Sequence, residues 1–379
     1  MQGGRARAID IAYLAGVSQP TVSRALRGSP MVSPATRQRI EAIARQLNYK
    51  VDKNASNLRC QHSNTLALLL FEDPTPDDSL INPFFHAMLG SITRASAQRG
   101  YDLLVSFQQL SGNWHVDYED SRKADGLILL GYGDFVEYCS RLEQLVRQGT
   151  RFVRWGAVLD GQPGLSIGCD NFQGGRQATE HLIKLGRRKI AFLGSASPHY
   201  PEFLERHRGY VQVLRDNGIA PAASLQVDAL TLEQSGHAAA CELLNRRQPF
   251  DGIVAASDLI AMGALRALQE RRIDVPGAVA VVGFDDIPAA SLTHPPLTTV
   301  MQDTRLAGEV LVDTLLKLIR KEPAQPCALP TQLVVRRSCG AHSQPLPGCV
   351  ALEPSVFQMP AAARAVQTIP QRRNSVRRA

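Results

Sequence analysis

Between residues 65 and 286 the chain returns repeatedly to short runs that are almost wholly apolar. They include TLALLLF (65–71), DGLILLGY (125–132), KIAFLGS (189–195), DGIVAAS (251–257) and VAVVGFDD (279–286). A strand with one wet face alternates polar and apolar residues, whereas runs like these need cover on both faces. Segments of helical periodicity separate them, such as FFHAMLGSITRASAQRG (84–100), GGRQATEHLIKLG (174–186), ERHRGYVQVLRDNG (205–218) and DLIAMGALRALQERR (258–272). Strand and helix in alternation predict parallel sheets wrapped by crossover helices. With YDLLVSF and RFVRWGA the first set of strands fills residues 64 to about 161, and a second set, including LQVDAL, starts near residue 165. The sets are similar in length without sequence repetition, so the expectation is an α/β core of two lobes, each a doubly wound parallel sheet.

Sheets of this kind bind ligands beyond the carboxyl ends of their strands, in the crevice between lobes. The polar or flat residues that punctuate those ends become candidates: Asn82, Trp155, Asp170, Ser257, Asp258, Asp285 and Asp286, joined by Arg206 at a helix start. Asp258 also suits a helix start and Asp286 a turn before Pro288. Arg206 and Asp285 point to a ligand, because a polyol is held best by charged groups that pair with adjacent hydroxyls. No catalytic motif is complete. GSASP (194–198) has Pro198 where a nucleophile elbow needs glycine, and Gly174–Gly175 lacks the lysine of a phosphate loop. An enzyme is therefore not expected, nor a cofactor, and the scattered histidines and seven cysteines offer no metal-ligand spacing.

The N-terminus obeys a different period. IDIAYLAGVSQPTVSRALR (9–27) reads as two short helices, the first carrying Ile9, Ile11, Ala12, Leu14 and Ala15 inward and stopping at Gly16. Ser18 caps the second, Pro20 sits in its first turn where no helical hydrogen bond is lost, and Val22 and Leu26 face inward. Gln19, Pro20, Thr21, Ser23, Arg24 and Arg27 are then left for a DNA groove, as in a helix-turn-helix. A third helix starts after the cap Ser33 and buries Ile40, Ile43, Ala44 and Leu47.

Charge agrees with that placement. Residues 1–62 hold ten Lys or Arg against three acids, while residues 63–340 hold 27 basic and 31 acidic residues. The excess positive charge thus lies beside the helix-turn-helix, where it can meet phosphates. No apolar run is long enough to span a bilayer, and MQGGRARAID lacks the apolar stretch of a secretory signal, so the expectation is a cytoplasmic protein with no membrane partner. The odd, scattered cysteines fit reduced thiols. The segment 341–379, rich in Pro, Ala and Arg, reads as a disordered basic tail.

Several of these motifs together resemble the lac repressor family of bacterial transcription regulators. They are AGVSQPTVSRAL (15–26), SPMVSPATRQRI (29–40), LNYKVDKNASNLR (47–59), INPFF (81–85), GFDD (283–286), PPLTTVMQD (295–303) and LPTQLVVRRSC (329–339). The resemblance implies a headpiece over 1–51, a hinge helix over 52–62, and a periplasmic-binding-protein-like core over 63–340. Lobe 1 would take about 63–161 and 294–325, and lobe 2 about 162–293 and 326–340. It implies a homodimer, with a tetramer as the larger assembly, on a palindromic double-stranded operator. Gln19, Pro20 and Arg24 would read bases, with Ser18, Thr21 and Ser23 on phosphates and Ser33 and Asn54 also at the DNA. Leu58, with Ala55 beside it, would wedge into the minor groove. Asn82, Phe84, Phe85, Trp155, Arg206, Ser257 and Asp285 would line the effector site. Trp155, Ser257 and Pro20 depart from the residues common in relatives. The function implied is a repressor of carbohydrate genes under a sugar effector. The alternatives are a purine- or nucleoside-responsive regulator of the same family and a sugar receptor without regulatory role.

Overall fold

The computed structural model describes residues 6–26, 28–49, 62–71, 81–108 and 112–341. Arg27, Asn54, Ala55 and Leu58, and the tail beyond residue 341, lie outside the described residues.

Three helices form the N-terminal unit: α1 (Ala8–Ala15), α2 (Gln19–Leu26) and α3 (Pro34–Gln46). Ile11, Ala12, Ala15, Val22, Ala25, Val32, Ile40 and Ala44 make a core of their own. Ile9 and Leu14, expected inside, are exposed, because at helical spacing only Ile11, Ala12 and Ala15 share the arc that meets the other helices. The Ser18 hydroxyl accepts from the Thr21 amide at 3.4 Å and bonds the Thr21 hydroxyl at 2.8 Å. Ser33 caps α3 by accepting from the Thr36 amide at 3.3 Å, with Pro34 opening the helix. Arg37 donates to the carbonyls of Gly28 and Ser29, fixing the turn that follows α2.

The core holds two six-stranded sheets. Its elements in chain order are β1 (Thr65–Leu70), α4 (Pro83–Gln98), β2 (Asp102–Phe107), β3 (Gly126–Leu130), α5 (Phe135–Gln148), β4 (Phe152–Trp155) and β5 (Leu165–Cys169). There follow α6 (Asn171–Lys184), β6 (Ile190–Leu193), α7 (Pro201–Asp216), β7 (Gln226–Val227), α8 (Glu233–Asn245), β8 (Gly252–Ala255), α9 (Asp258–Glu270) and β9 (Ala280–Asp285). The last are β10 (Thr298–Gln302), α10 (Thr304–Ile319), β11 (Cys327–Leu329) and β12 (Thr331–Val334). The first sheet runs β11-β5-β4-β3-β1-β2, parallel throughout, and the second β12-β10-β9-β8-β6-β7, parallel except for β12.

The chain therefore passes between lobes three times, and the lobe boundaries expected from the sequence need correction. β5 and β11 belong to the first sheet and β10 to the second, the reverse of the expected assignment in each case. The cause is register: β5 pairs with β4 through Val153–Leu165 and β11 with β5 through Cys327–Ile167, while β10 pairs with β9. An apolar run announces a buried strand without naming its neighbour. LQVDAL contributes only the two strand residues of β7.

Close backbone contact positions the helix that carries Arg206. A Cβ on Gly175 of α6 would lie 2.0 Å from the Arg206 carbonyl of α7. Gly175→Ala is expected to force the two helices apart and to cost about 1–3 kcal/mol, read as a lower denaturant midpoint at unchanged m-value.

Candidate DNA-reading surface and effector cleft

On the headpiece, Ser18, Gln19, Pro20 and Arg24 are exposed along the start and one face of α2, as is Ser33 at the start of α3, while Thr21 and Ser23 are half-buried. The second helix thus keeps Val22 and Ala25 for the core and turns its polar side chains outward, the division a groove-reading helix requires.

In the core, the strand ends converge. From the first lobe, Asn82 caps α4, its Oδ1 accepting from the Phe84 amide at 2.9 Å. Its Nδ2 donates at 3.1 Å to the Thr231 hydroxyl of the second lobe, which in turn donates to Ser257 at 3.3 Å. Ser257 also caps α9 through the Ile260 amide. Phe84 and Phe85 are buried in the first turn of α4, and Tyr132 follows β3 with its ring 4.7 Å from that of Phe85. Trp155 ends β4, its ring 6.1 Å from Phe84 and buried in the shared core.

From the second lobe, Arg206 is fully enclosed. Its Nε donates to Asn171 at 2.8 Å, its Nη1 to the Ala256 carbonyl, and its Nη2 to the Tyr132 hydroxyl of the opposite lobe at 3.1 Å. Nη1 stands 3.6 Å from the Asp285 carboxylate, and the guanidinium lies over the Phe284 ring at 3.7 Å. Gln302, at the end of β10, donates to Asp285 at 2.6 Å and to Tyr132 at 3.2 Å. Asp285 holds φ at 117°, a backbone conformation costly for a side chain with a Cβ and maintained by these partners.

Burial raises the Asp285 pKa to about 7, against the opposing pull of Arg206 and the Gln302 hydrogen bond. Burial likewise holds Asp258 well above the usual carboxylate range, with the nearby Asp285 charge adding to it. Asp285 therefore binds its proton more tightly folded than unfolded, and its contribution to stability is present in acid and lost as pH rises through about 7. Asp285→Asn cannot ionise, so the wild-type melting temperature should fall more steeply than the variant's between about pH 5 and about pH 8.

The structure thus brings together Asn82, Phe84, Phe85, Trp155, Arg206, Ser257 and Asp285 around one interlobe seam. It gives the other strand-end candidates structural partners. Asp258 accepts from Thr299 at 2.5 Å and from the Ile287 amide, Asp170 caps α6, and Asp286 pairs with Arg336. Tyr132, Asn171, Gln302 and Phe284, which complete the surroundings of Arg206, were not among the sequence candidates. Tyr132 and Gln302 stand at strand ends, the position that singled out the others, and their polar groups in GYG and MQD are the signal that could have found them.

The family model for "Bacterial regulatory proteins, lacI family" matches residues 9–52, and that for "Periplasmic binding protein-like domain" matches residues 179–339. The HTH-type transcriptional regulator CelR of Thermobifida fusca is 34% identical over 86% of this chain and 96% of its own length. Among solved structures, a transcriptional regulator CelR–cellobiose complex matches with TM-score 0.65 at 32% identity, covering 88% of this chain and all of that one. A lac repressor dimer bound to operator and the anti-inducer ONPF matches with TM-score 0.76 at 28% identity, covering 89% and 99%. With the three-helix headpiece and the two-lobed core in place, this chain belongs to the lac repressor family of DNA-binding transcriptional regulators.

Proposed function

We propose that this regulator is a cytoplasmic repressor of carbohydrate uptake or breakdown genes, bound as a homodimer to a palindromic operator and controlled by a sugar-like effector held between its lobes. Gln19, Pro20 and Arg24 read base edges, Ser18, Thr21, Ser23 and Ser33 contact phosphates, and Asn82, Phe84, Phe85, Trp155, Ser257, Arg206 and Asp285 hold the effector. The observation that carries the reading is the buried Arg206–Asp285 pair, which meets Tyr132 of the opposite lobe beside aromatic rings. A hydroxyl there can accept from the guanidinium and donate to the carboxylate while a sugar face packs on the rings. A ligand bound by both lobes favours one lobe arrangement, and that bias reaches the DNA through the hinge segments. The relatives support the sugar class, since one solved structure is a complex with cellobiose.

A thermal-shift screen of neutral sugars and nucleosides on the full chain tests this. A bound sugar at about 100 times its Kd adds about 2.7 kcal/mol of stability and raises the melting temperature. Stabilisation by nucleosides alone would replace the sugar with a purine-type effector.

A further inference from the structure

Ile190 of β6, Gly252 of β8 and Ala280 of β9 pair in one row across the amino end of the second sheet. A basic pair stands on the connection into each strand: Arg188 and Lys189 before β6, Arg246 and Arg247 at the end of α8, Arg271 and Arg272 at the end of α9. Segments 187–189, 246–251 and 271–274 together hold seven basic residues against two acids, Asp251 and Asp274, in a core that is otherwise richer in acids. The Asp251 carboxylate is engaged by the backbone amides of Arg188 and Lys189. Arg187 is tied to the carbonyls of Pro276, Gly277 and Ala278, and Arg246 to Glu242 and to the carbonyls of Ser224 and Gln226. The other five are exposed, and among the described residues their side chains make no hydrogen bond or ion pair.

A cation at a helix carboxyl end complements the helix dipole, which accounts for Arg246 and Arg271 as caps. It does not account for Arg247 and Arg272. Both hold a left-handed backbone, with φ at 53° and 56°, at the position where a helix is best closed by glycine. In the same lobe α6 and α7 are closed there by Gly186 and Gly218. Two arginines thus occupy strained positions without gaining a partner inside the protein. No large apolar side chain is exposed on the three connections, so the edge lacks the apolar centre round which a protein interface is built. A phosphate backbone needs only the cations.

The edge is also placed to act beside the headpiece. The seam lies at the carboxyl ends of both sheets, and the chain enters the core at β1, on the amino edge of the first sheet. The basic row is the amino edge of the second sheet, on the far side of the seam from that entry. Three adjacent strands span about 10 Å, over which duplex DNA presents about six charges. We propose that this edge is a second DNA-binding surface, which holds the backbone of a duplex other than the operator without reading its sequence.

The test uses the full chain loaded with an equal amount of operator well above its Kd, so that the headpieces are occupied. A labelled duplex of about 20 base pairs without the operator sequence is then titrated and followed by fluorescence anisotropy at several salt concentrations. The operator-loaded wild type should bind it, more weakly as salt rises. Arg247→Gly with Arg272→Gly suits both backbones, and its melting transition and operator affinity report an intact protein. Its affinity for the second duplex should fall at least about tenfold and its log–log salt slope shrink by about 2, whereas Arg247→Lys with Arg272→Lys should keep both. Segment 342–379 is the same in all three proteins, so its own attraction for DNA cancels. An operator-loaded wild type that binds no second duplex overturns the proposal, as does a glycine variant that binds it as tightly as the wild type with the same slope. Poly-glutamate bound more tightly than the duplex, and weakened by the same glycine variant, overturns the DNA assignment in favour of an acidic protein partner.

Discussion

Arg206→Ala is expected to leave the regulator on its operator and deaf to its effector. The guanidinium is the hub of the seam: it binds Asn171, Ala256 and Tyr132, faces Asp285 and stacks on Phe284. A hydrogen bond from a charged group to a ligand hydroxyl contributes about 1.5–3 kcal/mol, so effector affinity should fall by at least about tenfold. Removing one member of a buried ion pair also destabilises the fold, by about 3–5 kcal/mol where the remaining charge stays ionised. Protonation of Asp285, whose pKa already stands at about 7, should blunt that loss in acid and expose it at higher pH. Effector titrations and melting curves at two pH values separate the two consequences. A normal effector response in a folded Arg206→Ala protein would remove Arg206 from the site.

The second large effect is on DNA binding. With ten basic residues against three acids in positions 1–62, the proposed dimer should release many counterions when it binds the operator. If it neutralises about 6–10 phosphates, operator affinity should drop by about 10³–10⁵ between about 50 mM and about 200 mM salt. Arg24→Ala, which removes an exposed base-reading candidate on α2, should cost about 1–3 kcal/mol and relax discrimination at one base pair. A salt-independent affinity would contradict the phosphate contacts, and unaltered base preference would contradict the role of Arg24.

What the sequence disclosed follows from what local chemistry can encode. Apolar runs such as GLILL and GIVA announce strands covered on both faces, and the cap-and-proline pattern at Ser33 and Pro34 marks a helix start. Pairing partners are not encoded locally. β5, β10 and β11 are short strands whose sheet is decided by pairing with other segments, and the lobe boundaries expected from the sequence put each of them in the wrong lobe. Inward and outward faces of an eight-residue helix are equally hard to divide, as exposed Ile9 and Leu14 show. At the cleft, Asp285 is legible because charge at a strand end is conspicuous; Arg206, expected at a helix start, stands in the second turn of α7, which begins at Pro201. Tyr132, Asn171 and Gln302 were missed, because their importance comes from converging on Arg206 from three separate segments.

The most direct test of a sugar-controlled DNA-binding switch is the affinity of the full chain for a labelled palindromic operator from its own promoter. It is measured by fluorescence anisotropy at fixed salt, with and without the sugar that most raises the melting temperature. The predicted result is a change in operator affinity of about 5- to 150-fold in the wild type, absent in Arg206→Ala. An operator affinity that the bound sugar leaves unchanged in the wild type would contradict the coupling between cleft and headpiece.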